Sequence, residues 1–211
     1  MRFGFPGLAV LLAVSAGPLG AGDTSWAFQL GAMAPQGSLK SDPQAGAQQS
    51  LGGPVLGLLF ERSFRTPDAV RLRLSLAGLR PGGRNPLGTG GAYTESDWSL
   101  PEVGLDWRHQ WTGSTSGWYS TVGLGLASPR LDRTAHWPLS PGGPVVGGTT
   151  RFTQHHKPAA RIGGGWQFNH RFSAEGAYHF VNVDSAPQEG FGVSRLAWFE
   201  LAVGIHWGRG R

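Results

Sequence analysis

The chain has 211 residues, a formal net charge of +5, 35 glycines, nine tryptophans, no cysteine and only 15% charged residues. That length suits one domain. The absence of cysteine excludes a disulfide scaffold and any Cys-ligated zinc or iron–sulfur centre. The arginines are scattered and form no basic stripe, so the positive balance does not point to nucleic acid.

The first residues read as a secretory signal. Arg2 is the charged start, Leu8 to Val14 the apolar core, and Gly17 to Gly22 a small-residue exit that places cleavage after Gly22. The expected organisation is a signal peptide over 1–22 and one domain over 23–211. No later segment offers the run of about 18 apolar residues that a membrane helix needs, so a bilayer could be crossed only by a closed barrel.

Eight stretches of period-two alternation follow, which is strand and not helix. The first sets Trp26, Phe28, Leu30 and Ala32 against Ala27, Gln29 and Gly31. The second carries Leu56, Leu58, Phe60 and Phe64 against Gly57 and Glu61. In the third, Val70, Leu72, Leu74 and Leu76 alternate with Arg71, Arg73 and Ser75. The fourth opposes Val103, Leu105, Trp107 and Trp111 to Glu102, Asp106 and Arg108, and the fifth opposes Trp118, Val122, Leu124 and Leu126 to Tyr119 and Thr121. The sixth has Ile162, Trp166 and Phe168 against Arg161 and Gln167, the seventh Phe172, Tyr178 and Phe180 against Ser173, Glu175 and His179. The eighth closes with Phe199, Leu201, Val203, Ile205 and Trp207 against Glu200, Ala202, Gly204 and His206. Arg62 and His109 break the apolar parity near strand ends, and Trp198 falls on the polar parity.

The connections alternate in length. Those at 65–68, 112–116 and 169–171 are short, whereas 34–53, 80–97, 128–157 and 183–194 read as long loops, all at the other end. This is the rhythm of an all-β, eight-stranded antiparallel up-and-down transmembrane barrel, with short turns in the periplasm and long loops outside. Trp26, Phe64, Trp111, Trp118, Phe168, Phe172 and Trp207 share the apolar parity at the turn end, a periplasmic aromatic girdle. Trp98, Phe180 and Phe199 are expected in a thinner outer girdle. The polar parity would send Glu61, Arg71, Arg73, Glu102, Asp106, Arg108, Arg161, Glu175 and Glu200 into an interior just wide enough for side chains. These charges must pair there, either as a plug or around a narrow polar path, with interior glycines leaving room for the arginines.

The whole mature stretch resembles the small bacterial outer-membrane barrels of the OmpA/OmpX type, and the OmpW-like and outer-membrane β-barrel-domain families. The likeness is one of signal, alternation and loop asymmetry, and only the barrel half of the OmpA type is expected. The last strand, Phe199-x-Leu201-x-Val203-x-Ile205-x-Trp207, resembles the signal by which such proteins are recognised by the barrel-assembly machinery, although Gly208 to Arg211 follow the aromatic. The resemblance implies an outer-membrane location, contact with lipid and lipopolysaccharide, and a structural or narrow porin-like role without catalysis, cofactor or nucleic acid. The sequence specifies no oligomeric state.

Two alternatives remain at this point. One is a lipid A-modifying or other barrel enzyme, for which Ser173, His170 and Glu175 are the nearest nucleophile, base and acid. Their placement in a turn and on inward parity would miss an outer-leaflet lipid. The other is a secreted lipocalin-like barrel, which would need an apolar interior. His136, His155 and His156 share one loop but lack a carboxylate spaced to complete a metal site. Arg80, Arg84, Arg130, Arg133, Arg151 and Lys157 lie in or beside the long loops, where they could meet lipopolysaccharide phosphates.

Overall fold

A computed structural model describes residues 24–37, 52–65, 67–79, 85–87, 91–112, 116–139, 145–184 and 194–208. The expected signal segment, Arg80 and Arg84 lie outside the described residues. The strands are β1 (Thr24–Gln36), β2 (Gly53–Arg65), β3 (Asp68–Leu79), β4 (Asn85–Pro86), β5 (Tyr93–Gln110), β6 (Gly117–Ala127), β7 (Arg130–Pro138), β8 (Val145–Thr153), β9 (Lys157–Gln167), β10 (Phe172–Asn182) and β11 (Arg195–Trp207).

Eight of them close a ring by antiparallel pairing of neighbours: β1, β2, β3, β5, β6, β9, β10 and β11. The seam runs from Trp26 opposite Trp207 to Gln36 opposite Ala197. Closure leaves the ring no unpaired edge, the condition for strands to cross hydrocarbon. The short turns close by local chemistry. Asn169 Oδ1 accepts hydrogen bonds from the backbone N–H of Arg171 at 2.8 Å and of Phe172 at 3.0 Å, an Asx turn. Beyond Trp111, the Thr112 hydroxyl donates to the Ser116 carbonyl at 2.9 Å.

Alternation gives the wall two chemistries. Along β11 every second side chain from Phe199 to Trp207 is exposed, and those between are buried. Outward apolar side chains such as Leu124 (72% exposed) and Leu201 (60%) surround the ring. So large a continuous apolar surface is stable only against another apolar phase.

The loop end departs from the sequence expectation. The stretches 80–97 and 128–157, read as loops, contain β4, the first part of β5, and the hairpin β7–β8. Tyr93 to Ser99 of β5 pair with β7, β7 pairs with β8, and Asn85 and Pro86 pair with β5. The hairpin's alternation is weak because neither face of it is uniformly apolar, and the glycines, Thr149 and Thr150 of β8 carry no hydrophobic period. The order β4–β5–β7–β8 is a small sheet standing above the ring. Its nine-residue strands add about 30 Å of length at about 3.4 Å per residue.

Candidate functional site: the barrel interior and the projecting sheet

The inward face of the ring falls into three layers. In the middle, Glu61, Arg71, Arg73, Glu102, Asp106, Arg108, Arg161, Glu175 and Glu200 are all buried, and they join in one continuous network. Arg108 meets Glu61 at 3.1 Å, Arg71 meets Glu61 at 3.3 Å and Glu175 at 2.8 Å, and Arg161 bonds Glu175. Arg161 also reaches Asp106 at 3.3 Å, which Arg73 holds at 3.2 Å while bonding Glu102 at 2.8 Å. Glu200 stands 4.0 Å from Arg161.

Uncharged and histidine side chains extend this network: Arg161 donates to Thr121 and Arg73 to Ser75, each at 3.2 Å, Arg108 bonds Gln110, and three more stand out. The Tyr119 hydroxyl donates to Glu175 at 2.8 Å, and the Arg108 guanidinium lies 4.3 Å from the Tyr119 ring centre. The guanidinium also donates to Gln167 at 3.3 Å. His179 stands between Glu102 at 3.1 Å and Glu200 at 3.0 Å. The signal for all three was their inward parity beside charged neighbours. Glycine makes the space: a Cβ on Gly104 would lie 2.8 Å from Arg73 Nη2, and one on Gly165 2.5 Å from the Tyr119 hydroxyl.

Above the network, towards the loops, the interior turns apolar. Leu79, Leu100, Leu131, Val181, Leu196 and Trp198 are essentially inaccessible and form the centre of one hydrophobic cluster. Trp98 belongs to it, 3% exposed. The outer-girdle expectation for Trp98 is therefore overturned: Trp98 shares the parity of Glu102 and Asp106, so β5 turns it inward. Phe180 and Phe199 do stand on the outer face. Below the network, Ser173 and His206 form a buried pair at 2.8 Å.

That pair decides the fate of the Ser173, His170 and Glu175 grouping. Ser173 turns to His206, His170 is exposed, and Glu175 is engaged by Arg71, Arg161 and Tyr119. The three do not assemble. His155 and His156 hold their ring centres 6.2 Å apart, His136 stacks on Tyr93 at 4.6 Å, and no metal-binding cluster occurs among the described residues. Phe64, Trp111, Trp118, Phe168, Phe172 and Trp207 are exposed on the outer wall at the turn end, and Trp26 is half-exposed beside Phe60, 4.7 Å between ring centres. Of the two parity breaks, His109 meets Asp68 at 2.8 Å and Arg62 is half-buried.

The projecting sheet carries arginines of its own. Asp132 on β7 holds Arg130 at 2.6 Å and Arg151 of β8 at 2.8 Å. Lys157 pairs with Asp184 at the sheet's base. The hydrogen bond from Arg130, with a second from Arg151, keeps the Asp132 carboxyl below its ordinary range. A depressed carboxylate adds stability that is complete above the ordinary range, near pH 4, and is lost as pH falls through the depressed value. Amide-exchange protection of β7 and β8 is therefore expected to hold from pH 7 to about pH 4 and to weaken a few-fold below it. Asp132→Asn should show the weakened protection already at pH 7. Equal protection at pH 3 and pH 7 in the parent would refute the role of this cluster.

No family model matches the chain, and no curated protein does. Solved structures do. The major outer membrane protein from Thermus thermophilus superposes with a TM-score of 0.54 at 8% identity, over 87% of this chain and 99% of that one. Ail, the attachment invasion locus protein of Yersinia pestis, superposes with a TM-score of 0.51 at 12% identity, over 88% and 99%. The fold is that of a small outer-membrane barrel. At these identities the likeness carries the fold alone.

Proposed function

We propose that this protein is exported by residues 1–22 and spans the outer membrane of a bacterium as a sealed, non-catalytic barrel that anchors the projecting sheet outside the cell. The observation that carries the reading is the filled interior. A continuous salt-bridge network crosses the middle of the bore, and a dry apolar layer closes it towards the loops. An ion would have to displace paired charges and then cross hydrocarbon side chains, so the plug is favoured over the narrow pore. The outward apolar wall and the aromatic ring at the turn end support insertion with the turns in the periplasm.

The outer-leaflet lipid and its lipopolysaccharide would meet Arg130 and Arg151 just beyond the apolar wall, and β11 would present the recognition pattern for the assembly machinery. A lipid-modifying enzyme needs its nucleophile on the lipid-facing surface, whereas Ser173 and His206 are buried inside. The apolar layer is a packed cluster, which speaks against a lipocalin-like ligand cavity.

The test is conductance across a planar bilayer, made on protein whose heat-dependent gel shift shows it folded. The bilayer is expected to stay sealed. Discrete steps from folded protein would overturn the plug, and solubility without detergent would overturn the membrane reading itself.

A further inference from the structure

The outer edge of the projecting sheet is a single long strand, β8. Among the described residues it pairs with β7 alone, over nine residues and without a register shift. Every second residue therefore turns its N–H and C=O away from β7, and all but Phe152 are exposed. Proteins blunt such an edge by keeping it short or by adding lysine, proline or a bulge. Val145–Thr153 has none of these. Its one charge, Arg151, is held by Asp132 of β7 at 2.8 Å.

The strand is complementary to itself. Laid antiparallel to a second β8 over its full length, Thr149 faces Thr149, Val146 faces Phe152 and Arg151 faces Gly147. Threonine meets threonine and a β-branched residue meets an aromatic, both favourable cross-strand pairs, and no like charges stand opposite each other. The rows continue into each hairpin. The Thr149 hydroxyl already meets that of Thr134 at 3.0 Å, so four threonines cross the centre of the joint. Trp137 faces Val146 within the hairpin, and Phe152 of the second copy extends that exposed apolar row. Arg151 keeps Asp132 and lies against a glycine, which leaves the guanidinium room.

We propose that β8 pairs with β8 of a second copy held in an apposed membrane, joining two projecting sheets edge to edge. The proposal rests on the outer-membrane reading, which sets the sheet outside the cell. Symmetry selects the apposed membrane. Antiparallel pairing of identical edge strands puts the two-fold axis at right angles to the sheet. The sheet continues the barrel wall through β5, which pairs with β3 in the ring and with β7 above it. That axis therefore lies in the membrane plane, and the second barrel points the opposite way. Two copies side by side in one membrane are related by an axis along the membrane normal, which sets their β8 strands parallel or crossed and loses this register. The full overlap joins the copies over about 30 Å of strand, at about 3.4 Å per residue.

The chain has no cysteine, so Thr149→Cys reports the joint directly. The experiment holds one barrel per phosphatidylcholine nanodisc, with different affinity tags on two populations of discs. A heat-dependent gel shift of the nanodisc-held protein first confirms insertion. Its failure would count against the outer-membrane reading, not the pairing. On mixing, discs of one tag are expected to capture discs of the other, and mild oxidation of the Thr149→Cys protein should link chains from different discs. Thr149→Lys sets like charges opposite each other and should weaken capture at least about tenfold, while Thr149→Ser leaves it unchanged. The proposal is overturned if inserted barrels do not capture one another, if Thr149→Lys captures equally, or if captured Thr149→Cys discs do not cross-link. That last result would place the joint elsewhere on the molecule.

Discussion

Glu175→Ala is expected to be among the most damaging single substitutions in the barrel wall. The Glu175 carboxylate accepts from Arg71, Arg161 and the Tyr119 hydroxyl, and all of these groups are buried. Truncation would strip one carboxylate partner from each of two buried guanidiniums, leaving Arg71 with Glu61 and Arg161 with Asp106, and would leave the buried Tyr119 hydroxyl without this acceptor. Breaking a buried pair in this way costs about 3–5 kcal/mol. The measurement is the urea midpoint of the folded, heat-shifting band in detergent.

A second variant separates charge from packing. Glu175→Gln keeps the shape and one acceptor oxygen but removes the charge. If the network acts through ion pairing, Gln should lose most of what Ala loses. If Gln behaves as the parent does, the carboxylate serves only as a filler and the electrostatic account of the plug fails. Replacing Arg71 and Glu175 together by methionine should be milder than Glu175→Ala, because one charge of each sign leaves together, Glu61 keeps Arg108 and Arg161 keeps Asp106, and an apolar pair of similar size is tolerated where an ion pair stood.

Much of this is legible in the sequence. Parity alone separates Arg71 and Arg73 from Leu72 and Leu74, and the same rule applied to the other seven stretches assigns each buried charge to the bore. What parity could not supply is partnership. Glu61, Arg71 and Glu175 are brought together by ring closure and register, and neither leaves a local trace in the chain. Trp98 marks the opposite case. Its inward parity was readable, but the attraction of an aromatic at a strand end suggested a girdle. The apolar inner layer went unread because a hydrophobic side chain on either parity near a strand end looks like wall. The hairpin β7–β8 was hidden for a different reason: its strands are held by β5 and by each other at a distance from any core, so selection for burial has left little alternation in them.

Trp198→Ala tests whether the apolar layer and the charged layer depend on each other. Trp198 is 1% exposed and stacks on the His179 imidazole, with ring centres 4.7 Å apart and planes 12° apart. His179 in turn spans Glu102 and Glu200, so the indole is the contact through which the dry layer presses on the network. Removing a buried tryptophan is expected to cost about 3–5 kcal/mol, part of it as a cavity that the rigid ring of strands cannot collapse to fill. The loss of the indole would also give water a place beside His179. The substitution should therefore lower the urea midpoint and speed amide exchange at His179 and Glu200. Leu131→Ala, in the same layer but on the projecting hairpin, should lower the midpoint less and leave exchange at those two positions unchanged. Should both variants disturb the network equally, the layer would act as one undivided core, and the indole would have no special part in holding the imidazole in place.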